Sequence, residues 1–316
     1  MGSDALALPM LNALMAHEAV RLVGVFTQPD RRVGRGMKLQ ANAIKQWAQG
    51  LHIPVLQPEK IAAPEYAWLR KSRCELILVM AYGHILADAL LRIPRLGVFN
   101  VHTSLLPAYR GASPIQTAIA CGECETGVTL MGIVRAMDAG PIADQERFAI
   151  GSEDDSPAVY RKAATACVPL LERNVPALLA GGLKLVSQDN AQASYCRRLR
   201  KDDGVLDFTA PASRLYNRIR AFRPWPGCFL DYAGQRLKLG AASISDAPAD
   251  APPGQIIGLR DAGLAVATSR GVLILHELQR PGGRMLGIRE FLAGFNLPLG
   301  TQLTSLSMPD LLVKGR

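Results

Sequence analysis

FNVHTSLLPAYRG, residues 99–111, ends an apolar run with two polar side chains, Asn100 and His102, set one residue apart. Side chains alternate along a strand, so these two share a face. Polar groups finishing a buried strand need a reason to be there, and a ligand site at the strand tip is one. In an open α/β sheet ligands bind beyond the carboxyl ends of the strands. An Asn amide can hold a developing oxyanion, and a His can give or take a proton near neutral pH. A carboxylate to orient that His is expected from a neighbouring strand end; the candidate is Asp138, in MDAGP (137–141). Each piece also has a plainer reading. Asn-x-His is a short pattern, and Asp before Ala-Gly is a common turn residue.

Outward from this stretch, the first half alternates strand and helix signals. Strands are expected over 21–28, 52–57, 74–81, 97–102 and 126–134, with helices over 41–50, 64–72, 84–92 and 113–122. Apolar strands alternating with helices imply a parallel sheet covered on both faces. Residues 156–182 read as one long helix stopped by Gly181-Gly182. SQDNAQAS (187–194) is polar and reads as a linker. Beyond it come short strands punctuated by Gly and Pro: GCFLDYAG, QRLKLGAAS, GQIIGL, GLAVATS and GVLILHEL. That spacing suggests a small β-barrel, with DAPADAPPG (246–254) as a surface loop. The expected architecture is α/β: a Rossmann-like parallel-sheet domain over 1–182, a linker over 183–205, and an OB-like barrel over 206–316.

Composition fits two domains. The chain has 316 residues, against about 150 per domain. It is 49% hydrophobic and 20% charged, which excludes wholesale disorder. No apolar run reaches about 18 residues, so no membrane span is expected. The N-terminal stretch has no basic n-region and is not read as a signal peptide; a cytoplasmic location is expected. The six cysteines are scattered and read as reduced thiols. Cys121 and Cys124 have metal or redox spacing, but no second pair or nearby His supports it, so coincidence is the expectation. His17, His52, His84 and His276 are expected to be structural or surface residues. Net charge is +9, uneven along the chain: 18 Lys+Arg against 16 Asp+Glu over 1–182, but 18 against 11 beyond. The second half therefore carries +7 of the total, which points to an anionic partner, nucleic acid first.

N-V-H-T-S-L-L-P-x-x-R-G, then G-V-T-L-M, then M-D-A-G, together resemble the formyltransferases that use 10-formyltetrahydrofolate. The resemblance implies catalytic roles for Asn100, His102 and Asp138, and folate binding by Ser104, Leu105, Leu106 and Pro107. VMAYGHIL (79–86) resembles the segment flanking that family's folate pocket, which brings in Tyr82 and Gly83. TQPDRRVGRGMKL (27–39), SYCRRLRKDDGVLDF (194–208) and IRAFRPWPG (219–227) resemble, more narrowly, the methionyl-tRNA formyltransferases. That implies formyl transfer from 10-formyltetrahydrofolate to the methionine α-amine of initiator Met-tRNA, in translation initiation; a monomer is expected, and no metal, because positioned dipoles supply the electrophilic assistance. In that family an insertion loop enters the acceptor-stem region of the tRNA; its basic tip would be Arg35 here, with Lys38 nearby. Arg31, Arg32, Arg35 and Lys38, interleaved with Gly34 and Gly36, suit phosphate contacts. Gly34-Arg35-Gly36 lacks the third Gly of a dinucleotide fingerprint. Arg197, Arg198, Arg200 and Lys201 extend the expected basic track, and Trp225 is expected in core or turn packing.

Three features depart from the family pattern. Members usually begin with a strand ahead of the Gly-Thr-Pro that Gly2-Ser3-Asp4 matches, so that strand is expected to be missing, with poor solubility as the consequence. Asp4 replaces a Pro, and Pro141 stands where an acid is common. Two other readings compete. A formyltransferase for a small amine, such as a sugar nucleotide or glycinamide ribonucleotide, would share Asn100, His102 and Asp138 but need no basic loop. A non-catalytic RNA-binding protein on the same scaffold has no need of the intact Asn/His/Asp set.

Overall fold

The computed structural model describes residues 1–33 and 36–314. Two compact units emerge. One is Met1–Gly111 with Glu125–Ala149 and Tyr160–Tyr195; the other is Ala112–Cys124 with Ile150–Val159 and Cys196–Arg316. These units cross the expected boundaries at 182, 183–205 and 206. The helix Pro114–Cys121 packs on the helix Ala212–Ala221 of its own unit. Arg220 Nη1, from that second helix, donates to Gly151 O (3.0 Å) and Asp154 O (2.7 Å). Such long-range partners carry no signature in local periodicity. The stretch 187–194 is also more than a linker, because Tyr109 N donates to Ser194 Oγ at 2.8 Å and Arg110 N to Ser194 O at 2.8 Å.

The first unit has a four-stranded sheet in the order Ile77–Val79, Val98–His102, Glu125–Gly132, Ile142–Ala149. The first pair is parallel and the next two pairs are antiparallel. A separate parallel pair joins Val25–Phe26 to Val55–Leu56. The α/β class holds, but strand direction mixes. Glu125–Gly132 is buried along almost its whole length; a continuous apolar run reports two covered faces, not direction. Ile142–Ala149 is absent from the sequence reading because IADQERFA is polar and only half-buried. Residues 1–3 lie between the two strand groups: Gly2 N donates to Phe26 O (3.0 Å) and Met80 N to Met1 O (2.9 Å). Asp4 caps the first short helical turn by accepting from Leu6 N at 2.8 Å.

The helix expected over 84–92 forms only as Asp88–Leu91, whereas two others show clear end signals. Asn42 caps Ala43–Gly50 by accepting from Lys45 N at 3.0 Å. The long helix Ser156–Ala180 stops at Gly181, whose φ of +68° is the left-handed conformation glycine reaches at least cost. Phe26, Leu69, Ile77, Val79, Tyr82, Leu86, Leu90 and Val98 form one buried cluster under the sheet edge. Each such aliphatic or aromatic side chain contributes about 1.5–3 kcal/mol by leaving water.

The second unit is rich in strands, arranged as two four-stranded antiparallel sheets. One orders Phe229–Tyr232, Gln235–Leu239, Glu277–Gln279, Leu286–Gly287; the other Ala242–Ser245, Val272–Leu275, Gly263–Ala267, Ile256–Arg260. No helix among the described residues is long and apolar enough to cross a membrane.

Candidate functional site

Asn100 and His102 stand on Val98–His102, the strand flanked by Ile77–Val79 and Glu125–Gly132. Being two apart, they share a face as the pattern requires. His102 is buried, and its Nε2 faces Tyr109 O at 3.0 Å. A carbonyl only accepts, so the proton in that contact belongs to Nε2. The other ring nitrogen, Nδ1, faces Asp138 Oδ2 at 3.9 Å. That gap is wider than a direct hydrogen bond, and since a carboxylate only accepts, a bond across it requires a proton on Nδ1 as well. The Asn100 side chain has no hydrogen-bond partner among the described residues and is only half-buried. Its amide is free to donate to a ligand.

Asp138 comes from the turn after Glu125–Gly132, and its carboxylate Oδ2 accepts from Gly111 N at 2.8 Å. Its φ is +49°, a conformation that Asp tolerates better than most residues. Gly140 makes the turn possible. A Cβ there would fall 1.7 Å from Gly132 O, so only glycine lets the turn approach the strand this closely. Pro141 does not disturb the arrangement, since its carbonyl accepts from Gly132 N at 2.9 Å.

The loop after His102 is held from below by residues the sequence reading passed over. Thr129 Oγ1 donates to Ser104 O at 2.6 Å and accepts from Leu106 N at 3.1 Å. Gln145 Nε2 donates to Leu106 O (2.8 Å) and to Thr129 Oγ1 (3.0 Å). Ser104 is fully buried, and its hydroxyl donates to Ala108 O at 2.7 Å, so this side chain shapes the loop. Leu106 is buried, while Leu105 and Pro107 are half-buried. Leu105 lies over Gly127, where a Cβ would come within 2.4 Å of Leu105 Cδ2. The Glu146 carbonyl oxygen, 2.3 Å from the same Cβ, is closer still, and together they explain the glycine in G-V-T-L-M. Polar residues inside a buried strand, Thr129 above all, were the signal that could have revealed these supports.

On the parallel neighbour, Tyr82 is buried and Gly83 exposed, with φ +79°. The Tyr82 hydroxyl and His84 Nε2 are both buried without a hydrogen-bond partner among the described residues, and the two rings lie 4.9 Å apart. Burial, followed by the charge of Glu65, pushes the Tyr82 phenol up to about 12. It is therefore a neutral donor at physiological pH. His84 belongs with this pair rather than with the surface residues.

The basic candidates divide. Arg31, Arg32 and Lys38 lie on an exposed antiparallel hairpin, Arg31–Val33 with Lys38–Gln40. Arg31 reaches Glu59 at 3.3 Å, and Arg32 Nη1 donates to Met37 O at 3.1 Å. Gly34 and Arg35 lie outside the described residues. Arg198, Arg200 and Lys201 are exposed in the second unit. Arg197 is otherwise engaged, its fork donating to buried Asp203 at 2.9 and 2.5 Å. Trp225 is 51% exposed, which rules out a core role and leaves it at a turn. Cys121 and Cys124 are exposed, and no group of three metal-type side chains occurs among the described residues.

Comparison with known proteins agrees with the geometry. Residues 2–174 match the family model described as formyl transferase, and residues 198–296 match its C-terminal domain. A methionyl-tRNA formyltransferase of Caldanaerobacter subterraneus is 38% identical over 305 residues, covering 96% of this chain and 98% of that protein. One from Thiobacillus denitrificans is 41% identical over 307 residues, covering 96% and 97%. Among solved structures, the N-formyltransferase of Helicobacter canadensis, in complex with folinic acid and dTDP-3-aminofucose, superposes with a TM-score of 0.66. At 20% identity it covers 89% of this chain and 97% of its own, and speaks to the fold alone.

Proposed function

The chain belongs to the methionyl-tRNA formyltransferase family, and from that premise we propose that it formylates the α-amine of methionine on initiator Met-tRNA. The formyl donor is 10-formyltetrahydrofolate, as a co-substrate. The single observation that carries the reading is the convergence of Asn100, His102 and Asp138 at one strand end within a chain of this family.

The uncharged amine attacks the formyl carbon, and the carbonyl oxygen gathers negative charge. Asn100, whose amide has no other partner, donates to that oxygen; one such donor is worth about 3 kcal/mol. His102 adds a second positive edge. Asp138 orients the imidazole and draws off the proton released by the amine, through water where the reach is too long. The intermediate then collapses: the bond from the formyl carbon to the folate nitrogen breaks, and that nitrogen takes up a proton. Folate sits against the loop of Ser104, Leu105, Leu106 and Pro107 and the segment holding Tyr82, Gly83 and His84. Arg31, Arg32 and Lys38 meet tRNA phosphates from the hairpin, Arg35 does so by the resemblance alone, and Arg198, Arg200 and Lys201 do so from the second unit.

The testing experiment is formyl transfer to charged initiator Met-tRNA alongside elongator Met-tRNA, at two salt concentrations. Transfer to the initiator alone, weakening as salt rises, is the expected result. No transfer to either tRNA by a chain that still binds folate would overturn the reading in favour of a small-amine acceptor.

A further inference from the structure

We propose that Arg110 and Gln188 are positioning residues that set the spacing of His102 and Asp138, an inference that rests on the function proposed above for that pair. Three consecutive residues touch both partners. Tyr109 O meets His102 Nε2 at 3.0 Å, and Gly111 N donates to Asp138 Oδ2 at 2.8 Å. Between them Arg110 is only 1% exposed.

A buried guanidinium ordinarily has a carboxylate opposite it. Among the described residues, the side chains that accept from Arg110 are all neutral. Its Nε and Nη2 donate to Gln188 Oε1 at 3.0 and 2.7 Å, Nη2 also to Asn190 Oδ1 at 2.9 Å, and Nη1 to Tyr195 Oη at 2.8 Å. The guanidinium further lies over the Tyr195 ring, 5.5 Å from its centroid. Since Arg has donors only, it fixes which end of the Gln188 amide faces it. The amide nitrogen is thereby aimed the other way. There Nε2 donates to Asp138 O at 2.9 Å and to Gly140 O at 2.6 Å.

Those two carbonyls bracket the turn that holds Asp138 at φ +49°. A non-glycine residue keeps that conformation only where its surroundings over-determine it. An amide whose oxygen is gripped by a cation also donates more strongly from its nitrogen. The choice of amide over acid at 188 follows. A carboxylate would bind Arg110 more tightly, yet it has no N–H for the two carbonyls and would add a second negative charge beside Asp138. Residues 109–111 thus hold His102 directly, the Asp138 carboxylate directly, and the Asp138 backbone through Gln188.

The test compares Gln188→Leu and Gln188→Glu in the wild-type chain and in an Asp138→Asn background. It reads steady-state formylation of initiator Met-tRNA and hydrogen–deuterium exchange over residues 136–141. Gln188→Leu is expected to lower kcat about a hundredfold, the scale of a misplaced catalytic group, with KM for both substrates little changed. Exchange over 136–141 should quicken in both variants, including Gln188→Glu, which keeps a partner for Arg110. In the Asp138→Asn background the further loss in kcat should vanish, because the clamp acts through Asp138. An equal loss in both backgrounds, or protected 136–141 with wild-type kcat in Gln188→Leu, overturns the inference. If the wild-type chain does not formylate Met-tRNA, the function proposed above fails, whereas the exchange comparison still reads the clamp.

Discussion

Thr129→Val removes one oxygen and keeps the side-chain shape, so its cost can be worked from the contacts. Thr129 is fully buried. Its hydroxyl donates to Ser104 O, accepts from Leu106 N and accepts from Gln145 Nε2. Gln145 Nε2 keeps its bond to Leu106 O, so that loss is small. Leu106 N is left without its partner, at about 1–3 kcal/mol, and the Ser104 carbonyl bond adds about 1 kcal/mol. The new methyl group returns about 0.8 kcal/mol through apolar burial. The net is a destabilisation of about 1–3 kcal/mol, or a fall in Tm of about 2–12 °C for a unit of this size. Function should change in a particular way. The loop 104–107 loses two of its ties while His102 and Asp138 keep theirs, so KM for the formyl donor should rise more than kcat falls. Thermal unfolding followed by circular dichroism, with steady-state kinetics on the same samples, reads both quantities. A Tm within about 1 °C of wild type and an unchanged KM would refute the claim that Thr129 holds the loop.

Asn100→Asp replaces a donor with a charge that repels an oxyanion; kcat should fall about 10²–10³-fold with folate affinity nearly intact, as equilibrium binding would show. Gly140→Ala puts a Cβ 1.7 Å from Gly132 O, so both Tm and kcat should drop; a variant with unchanged kinetics would mean the Asp138 turn has room to shift. Burial pushes the Asp203 carboxyl up, but its hydrogen bonds from Arg197 and from Arg200 N outweigh this and hold it below the ordinary 3.8. Because the folded value is depressed, this stabilisation is full above 3.8 and is lost as pH falls from there through the folded value. Asp203→Asn should therefore be less stable than wild type at neutral pH, with the gap narrowing on acidification, as urea unfolding across that range would show.

Much of this protein can be read along the chain. A period of two puts Asn100 and His102 on one face, and MDAG announces the turn that carries Asp138. Gly181 marked the helix stop, and an uneven charge distribution set the second half apart. These are local facts: strand pleat, left-handed glycine and side-chain chemistry are fixed within a few residues. The direction of Glu125–Gly132, the polar strand Ile142–Ala149 and the discontinuous units were beyond that reach. So were the supports Thr129, Gln145, Ser194, Arg110 and Gln188. Arg110 and Gln188 stand 78 positions apart. Their hydrogen bonds exist only because the chain returns, after the helix Ser156–Ala180, to lie against the loop that follows His102. The sequence by itself determined which polar groups, Asn100, His102 and Asp138, are available near the strand end. Only the tertiary structure decided how far apart they are held, because that distance depends on long-range bonds that no local pattern encodes.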